Sequence, residues 1–225
     1  MARGSFSRKL LRGVLWTGLT LLAVFAGLVT LYSFAPPVST LMLARLATGR
    51  SYERIYTPLS KISPSAKAAV VNSEDATFCA NNGVDWASLM GVLKREDGPN
   101  RGASTITMQT AKNLFLWPGR SAIRKGIEIP IALTLGEVWP KRRTLEIYLN
   151  IAEWGDGIFG IEAAARHYFR KSASALTPEE GALLAVALPN PIKRDPAHPR
   201  SFHRRLAAAI LARTRASPKT LDCVE

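Results

Sequence analysis

Acidic residues are scarce in this sequence, and none occurs before Glu53. Lys and Arg number 30 against 17 Asp and Glu, a formal net charge of +13 at pH 7. So large an excess of base fits an anionic partner: nucleic acid, anionic lipid or a phosphorylated substrate. Cysteine is nearly absent. Cys79 and Cys223 are too few and too far apart in sequence for a zinc site or a disulfide framework, and whether they pair with each other stays open. The three histidines, His167, His198 and His203, have no metal-ligand spacing. No convincing apolar-polar alternation marks a strand, and there is neither an internal repeat nor a low-complexity tract, so the chain reads as mainly α-helical. Its 225 residues, 47% of them hydrophobic, suit one globular domain with a packed core plus an appendage.

Charge is missing altogether between Gly13 and Ala44, and Val14–Phe34 is mostly Leu, Val, Ala, Thr and aromatics. A run of about 18 or more such residues reads as a membrane-spanning helix, which Pro36-Pro37 would stop. Arg3, Arg8, Lys9 and Arg12 precede the run; Arg45, Arg50 and Arg54 follow it. That modest bias favours a cytoplasmic N-terminus and places the rest of the chain outside the cytoplasmic membrane. The rival is a cleaved signal peptide. Its apolar region is normally about 7–15 residues, shorter than this one, and Pro36 directly after the site-like Ser33-Phe34-Ala35 argues against cutting.

Residues 36–65 read as a juxtamembrane connector. Arg45, Arg50 and Arg54, with Leu41, Leu43, Leu46 and Tyr52, fit either an anionic membrane surface or a solvated linker helix. Ser63-Pro64-Ser65 opens a helix over Ala66–Asn72. Lys94–Arg101 is charged and turn-rich and reads as an exposed, mobile loop that would gate the acceptor side of a site. Ser104–Leu116 turns helical. Ser121–Tyr148 carries Ile123, Ile127, Ile131, Leu135 and Val138 at helical spacing, with Pro130 and Pro140 expected to kink or divide it. Thr144–Ile151 and the Ala-rich Ile161–Phe169 follow. Thr177-Pro178-Glu179-Glu180 is a strong helix start, with Thr at the cap and Pro at the first helical position. His203–Arg215 is a last basic amphipathic helix.

The chemistry centres on Arg101–Leu116. Here a small-residue turn, Ser104, Thr105, Gln109 and Lys112 lead into an apolar helical stretch. Such a turn exposes backbone N–H groups at a helix start, where an anion can sit. Upstream, Glu74-Asp75 follows an apolar run; partial desolvation would raise the Glu74 pKa toward neutrality, as a general base requires. Downstream, Glu128 lies four positions after Arg124, on one helical face. Each glutamate alone has an ordinary surface alternative. Between the two, however, lie Lys112, Arg120, Arg124 and Lys125, whose heads bind phosphate oxygens by charge-assisted hydrogen bonds. A basic cluster between two candidate acids fits a diphosphate leaving group better than a plain glycan.

These residues carry a family resemblance. Glu74-Asp75-x-x-Phe78-x-x-x-x-Gly83-x-Asp85 resembles the first motif of the peptidoglycan glycosyltransferases, glycosyltransferase family 51. Gly102–Gln109 resembles the second and Arg124-Lys125-x-x-Glu128 the third. Leu145–Asn150, with Gly155-Asp-Gly157 and Gly160–Ala165, resembles the fourth, and Glu180–Ala185 through Pro191 the fifth. Five motifs in order over about residues 51–215 make the match specific. With no transpeptidase domain expected after Glu225, the chain resembles the family's monofunctional branch.

The resemblance implies a lysozyme-like helical glycosyltransferase domain over 51–215, after a tail at 1–12, an anchor at 13–35 and a connector at 36–50, and before a C-terminal tail at 216–225. It implies single-pass residence in the bacterial inner membrane, with the domain periplasmic. It also implies polymerisation of lipid II into β-1,4 glycan with release of undecaprenyl diphosphate. By carry-over Glu74 is the base that deprotonates the acceptor hydroxyl. Lys112, Arg120 and Arg124 hold the donor diphosphate, and Glu128 positions or stabilises it. Ser104, Thr105 and Gln109 line the cleft. No cofactor is required, although a divalent cation (Mg or Mn) at the diphosphate is compatible. The expected partners are lipid II, the growing glycan, membrane lipid and other wall-synthesis or division proteins, but not nucleic acid, for which no fold signal exists.

One departure stands out. Where the family usually has His, this chain has Asn81, expected to replace a structural hydrogen-bond donor. Arg120 stands where some relatives carry Lys, which keeps the charge and alters the geometry. The alternatives to a transferase are a membrane-anchored lytic muramidase, which needs no diphosphate cluster, and a non-enzymatic wall-assembly scaffold.

Overall fold

The computed structural model describes the backbone of residues 3–93, 104–119 and 121–225, with side chains from Lys9 to Val92 and throughout the later stretches. The expected mobile loop, Lys94–Arg101, lies outside the described residues. Two compact units divide at Pro36.

The first unit is one helix, α1, over Arg3–Tyr32. Its apolar part, Lys9–Tyr32, is 24 residues long. At about 1.5 Å per residue it exceeds the ~30 Å of a bilayer core. Leu10, Val14, Leu19, Leu22 and Val24 point outward and are all more than half exposed. Two of its three threonines satisfy their hydroxyls within the helix, Thr20 donating to the Trp16 carbonyl and Thr30 to that of Ala26. Length, composition and exposure suit a membrane anchor.

The second unit, Pro37–Glu225, is mainly helical. Its elements in order are α2 (Thr40–Ala47), β1 (Glu53–Arg54), α3 (Pro64–Glu74), α4 (Trp86–Leu93), α5 (Ile106–Phe115), α6 (Ala122–Val138), α7 (Lys141–Ile151), β2 (Glu153–Gly155), β3 (Ile158–Phe159), α8 (Ile161–Phe169), α9 (Pro178–Ala187) and α10 (Ser201–Ala216). The core gathers Val70, Val71, Phe78, Ile106, Tyr148, Leu149, Trp154, Leu184 and Ile210. Helices α3 and α9 pack closely at its centre, with Gly181 facing Ala66. A Cβ on Gly181 would lie 2.7 Å from the Ala66 Cα, so a larger residue would push α3 away.

The start of α9 follows the expected chemistry. Thr177 and Glu180 form a reciprocal capping box, and Pro178 stands in the first turn. Proline behaves differently at its two other predicted positions. Helix α6 runs unbroken through Pro130, and the division falls at Pro140, which caps α7. Pro130 and Gly126 both face solvent, so water can take the carbonyl that the proline leaves without an N–H.

Short strands escaped the sequence pattern because none exceeds three residues. They form one sheet in the order β1-β3-β2. Glu53 and Arg54 pair in parallel with Ile158 and Phe159, and β2 runs antiparallel to β3. Arg45 turns inward to this sheet rather than out to a membrane surface. Its Nη1 lies 2.6 Å from Asp156 Oδ1, and its Nε donates to the Ser51 carbonyl at 3.2 Å. The connector is thereby folded onto the domain. Thr40 reinforces this by donating to the Leu116 carbonyl at 2.7 Å.

The two cysteines are bonded to each other, with Cα atoms 5.5 Å apart across 144 positions of sequence. The tail at 216–225 is accordingly not free. Leu221 and Val224 are buried in the core cluster.

Candidate active site

Helix α3 ends on Glu74, and the turn after it is a knot of helix caps. Asp75 is buried and accepts from the Ile106 N–H at 3.1 Å, occupying the start of α5. Thr105 accepts from the Met108 N–H and donates to the Gly83 carbonyl. The α5 N-terminus, expected to be open to an anion, is therefore filled by the protein's own carboxylate and hydroxyl. Asp85 caps α4 through the Ser88 N–H at 2.9 Å. Asn81 donates to Asp75 at 3.0 Å and accepts from Lys141 at 3.2 Å. It thus acts as the structural donor expected of it, on Asp75. Gly83 adopts φ +110°, and a Cβ there would sit 2.4 Å from the Ala132 carbonyl oxygen of α6. Of the first motif's acids, Glu74 is the one not used as a helix cap.

Glu74 is half-buried. Gln109 Nε2 donates to its Oε2 at 3.0 Å, and the Tyr148 hydroxyl donates to Gln109 Oε1 at 3.2 Å. The amide is held from both ends and so orients the carboxylate. Burial pushes the Glu74 pKa up, against the opposing effects of the Gln109 hydrogen bond and of Lys112 and Arg194 nearby. Tyr148 is pushed well above the ordinary phenol value, first by burial and then by Glu74 and Asp75, so it remains a donor. Sequence reasoning quoted Tyr148 in the fourth motif without giving it this role.

Three adjoining depressions surround these groups. One, of about 290 Å³, holds Glu74, Ser104 and Thr105, with Arg213 of α10 and Asp85 on its wall. A second, of about 190 Å³, is lined by Gln109, Lys112 and Tyr148. The third, of about 360 Å³, is lined by Lys112, Asn113, Trp117 and Arg124. Gln109 and Lys112 are one turn apart on α5 and link the acid to the base-lined end. Burial lowers the Lys112 pKa, and Glu128 opposes that fall.

Arg124 pairs through Nη1 with Glu128, while its buried Nε has no partner among the described residues. Lys125 donates to Ser104 Oγ at 2.6 Å and lies 3.0 Å from Glu128 Oε2. Glu128 is 3% exposed and sits behind these two cations. It lines none of the three depressions. Ser104 and Thr105 thus line one depression with Glu74, Gln109 and Lys112 line the second, and Lys112 and Arg124 line the third. Arg120 lies outside the described residues.

Among the described residues no group of three His, Cys, Asp or Glu could hold a metal ion. Both Glu128 oxygens are engaged by cations.

The transglycosylase family model matches residues 41–215. The chain belongs to that family. Its relatives include proteins named biosynthetic peptidoglycan transglycosylase. The one from Agrobacterium fabrum is 50% identical over 221 residues, 96% of this chain and 98% of the relative. That from Brucella suis is 50% identical over 92% of this chain and 93% of the relative. That from Rhizobium meliloti is 49% identical over 95% and 92%. The family match takes in Glu74, Ser104, Thr105, Gln109, Lys112, Arg124 and Glu128 and all of α2 but Thr40. It stops before the transglycosylase chain's last ten residues, 216–225.

Proposed function

We propose that this chain is a peptidoglycan glycosyltransferase of cell-wall synthesis, polymerising lipid II into β-1,4 glycan with release of undecaprenyl diphosphate, and that Glu74 is the general base of an inverting transfer. One observation carries the reading. A desolvated carboxylate stands one α5 turn from a depression lined by Lys112 and by an arginine with a spare buried donor.

In this reading the acceptor 4-hydroxyl approaches Glu74 in the Ser104–Arg213 depression, and Gln109 keeps the carboxylate turned toward it. The raised pKa brings proton affinity closer to the operating pH, which favours proton abstraction. The donor diphosphate rests between Lys112 and Arg124. Charge-assisted hydrogen bonds there strengthen as negative charge collects on the departing oxygen. Base and anion site occupy different depressions, Glu74 in one and Lys112 with Arg124 in another, which suits displacement from the face opposite the leaving group. Glu128 holds Arg124 and Lys125 in place, a positioning role. No step is routed through a metal. Arg120, by the family resemblance, supplies a further cation for the diphosphate.

The anchor α1 keeps the domain near its lipid-linked substrate. A periplasmic setting is supported by the Cys79–Cys223 bond, since disulfides persist in oxidising compartments. Other wall-synthesis or division proteins remain proposed partners.

The test is polymerisation of fluorescent lipid II by detergent-solubilised protein, with Glu74→Gln alongside. Polymer from the wild type and none from the variant is expected. Polymer from both moves the base elsewhere. Muropeptides released from sacculi, without polymer, would make it a muramidase, and neither product would favour a scaffold.

A further inference from the structure

We propose that the C-terminal segment 217–225, locked by the Cys79–Cys223 disulfide, is a brace that positions Glu74. The segment lies beyond the matched family region, which ends at 215. It nevertheless grips the catalytic helix and the turn after it.

Three contacts make the brace. Cys223 is bonded to Cys79, five residues after Glu74 and inside the turn that also carries Asp75 and Asn81. A 3-10 turn over Pro218–Leu221 packs on α3, and its Thr220 Oγ1 lies 3.3 Å from Asn72 Oδ1 and 2.8 Å from the Ser217 carbonyl. Asn72 is buried and stands two residues before Glu74, on the wall of the same depression. At the far end Arg142 of α7 donates to the Val224 carbonyl at 2.8 Å, while Leu221 and Val224 fill the core beside α3.

The geometry explains what the brace does. The turn at 75–81 is fixed on its other sides by Asp75 at the start of α5 and by Asn81 against Lys141 of α7. Without Cys223 its outer side, where Cys79 is exposed, has no covalent hold. Glu74 is the last helical residue of α3, so any fraying of that end swings its carboxylate away from Gln109. A misplacement of ~1 Å can cost about 100-fold in rate, and a group held by surrounding contacts loses less. Cys79, Cys223 and Thr220 are therefore positioning residues. None of them touches the reacting atoms.

The inference rests on Glu74 being the base, and its test keeps the two apart. The full-length protein in detergent is compared with Cys79→Ser/Cys223→Ser by lipid II kinetics and by amide hydrogen exchange. Faster exchange across 71–81 is expected, with α9 unchanged, and kcat lower by about ten-fold with KM within about two-fold. A variant with native helical content, native exchange at 71–81 and native kcat overturns the brace. If the double variant fails to fold, Thr220→Val decides, because it keeps the disulfide. Faster exchange at 71–81 with about a two-fold loss of kcat supports the brace, and no change in either overturns it. If the wild type makes no polymer, the assignment of activity fails, and the exchange measurement still reports whether the segment holds the end of α3.

Discussion

Glu74 and Glu128 look alike in sequence, each a glutamate near basic residues, yet the two ends of the cleft treat them in opposite ways. Glu74 is hydrogen-bonded by neutral groups, the Gln109 amide and Ser73, and burial raises its pKa. Glu128 is clasped by Arg124 and Lys125 and turned away from the cleft. A carboxylate meant to take a proton has to be left short of charge compensation. One meant to hold two cations in place has to be fully compensated. The surroundings, rather than the residue type, divide the labour.

Neutral substitution at each end breaks the comparison most sharply. Glu74→Gln should lower kcat by about 10²–10⁴-fold, the usual range for a general base, measured by lipid II polymerisation. It should leave stability unchanged or slightly improved, because the fold disfavours the charge it removes. Glu128→Gln should do the reverse to stability. It leaves the buried Arg124 and the half-buried Lys125 without their counter-charge, and breaking such a pair costs about 3–5 kcal/mol, readable in denaturant unfolding. Equal stability losses in the two variants would end the distinction drawn between them.

A third experiment sharpens the Glu74 end by pH. Folding raises the pKa of this acid, so the unfolded chain releases its proton first. Stability is therefore lost as pH climbs from the ordinary glutamate value of 4.5 through the raised one. In activity the acid limb of the pH–rate profile should lie above that ordinary value. Gln109→Leu removes the donor that favours the ionised form, so the limb should move to still higher pH, with kcat at the plateau lower by several-fold. A limb that stays put would show that Gln109 does not face the titrating group. The alkaline limb should fall below the ordinary lysine value of 10.5, because burial lowers Lys112.

The sequence made some of this legible and hid the rest for a physical reason. Local signals were reliable: the apolar run of α1, the Thr177 cap, and the i,i+4 pairing of Arg124 with Glu128. The desolvation of Glu74 was readable from the apolar run before it. What was hidden depends on partners distant in sequence. Asp75 fills the start of α5 from 31 positions away, and Thr40 reaches the end of α5 from 76. Arg45 meets Asp156 across 111 positions and Cys79 meets Cys223 across 144. Arg45 read as part of a membrane-surface or solvated linker stretch and 216–225 as a C-terminal tail because nothing adjacent announced their partners. Pro130 stands inside α6 without ending it, and whether a proline does so depends on whether the freed carbonyl faces water. The relay through Tyr148 lay within a quoted motif, but only the packing of α7 against α5 brings its hydroxyl to Gln109.

The mildest change tests the boundary between the cap knot and the base. Asn81 bonds to Asp75, the Thr77 carbonyl and Lys141, and it makes no hydrogen bond to Glu74. It also accepts from the Gly83 N–H at 2.9 Å, which a histidine ring nitrogen could take over only in one tautomer. Asn81→His should therefore keep a donor on Asp75 and change stability by about 1 kcal/mol or less, the net worth of one rearranged hydrogen bond. The acid limb of the pH–rate profile should not move, and kcat should change by less than about three-fold, because the effect reaches Glu74 only through Asp75 and the backbone between them. A large shift of the acid limb would mean that position 81 tunes the base directly. The division between a knot that shapes the site and a carboxylate that acts in it would then have to be redrawn around the whole turn.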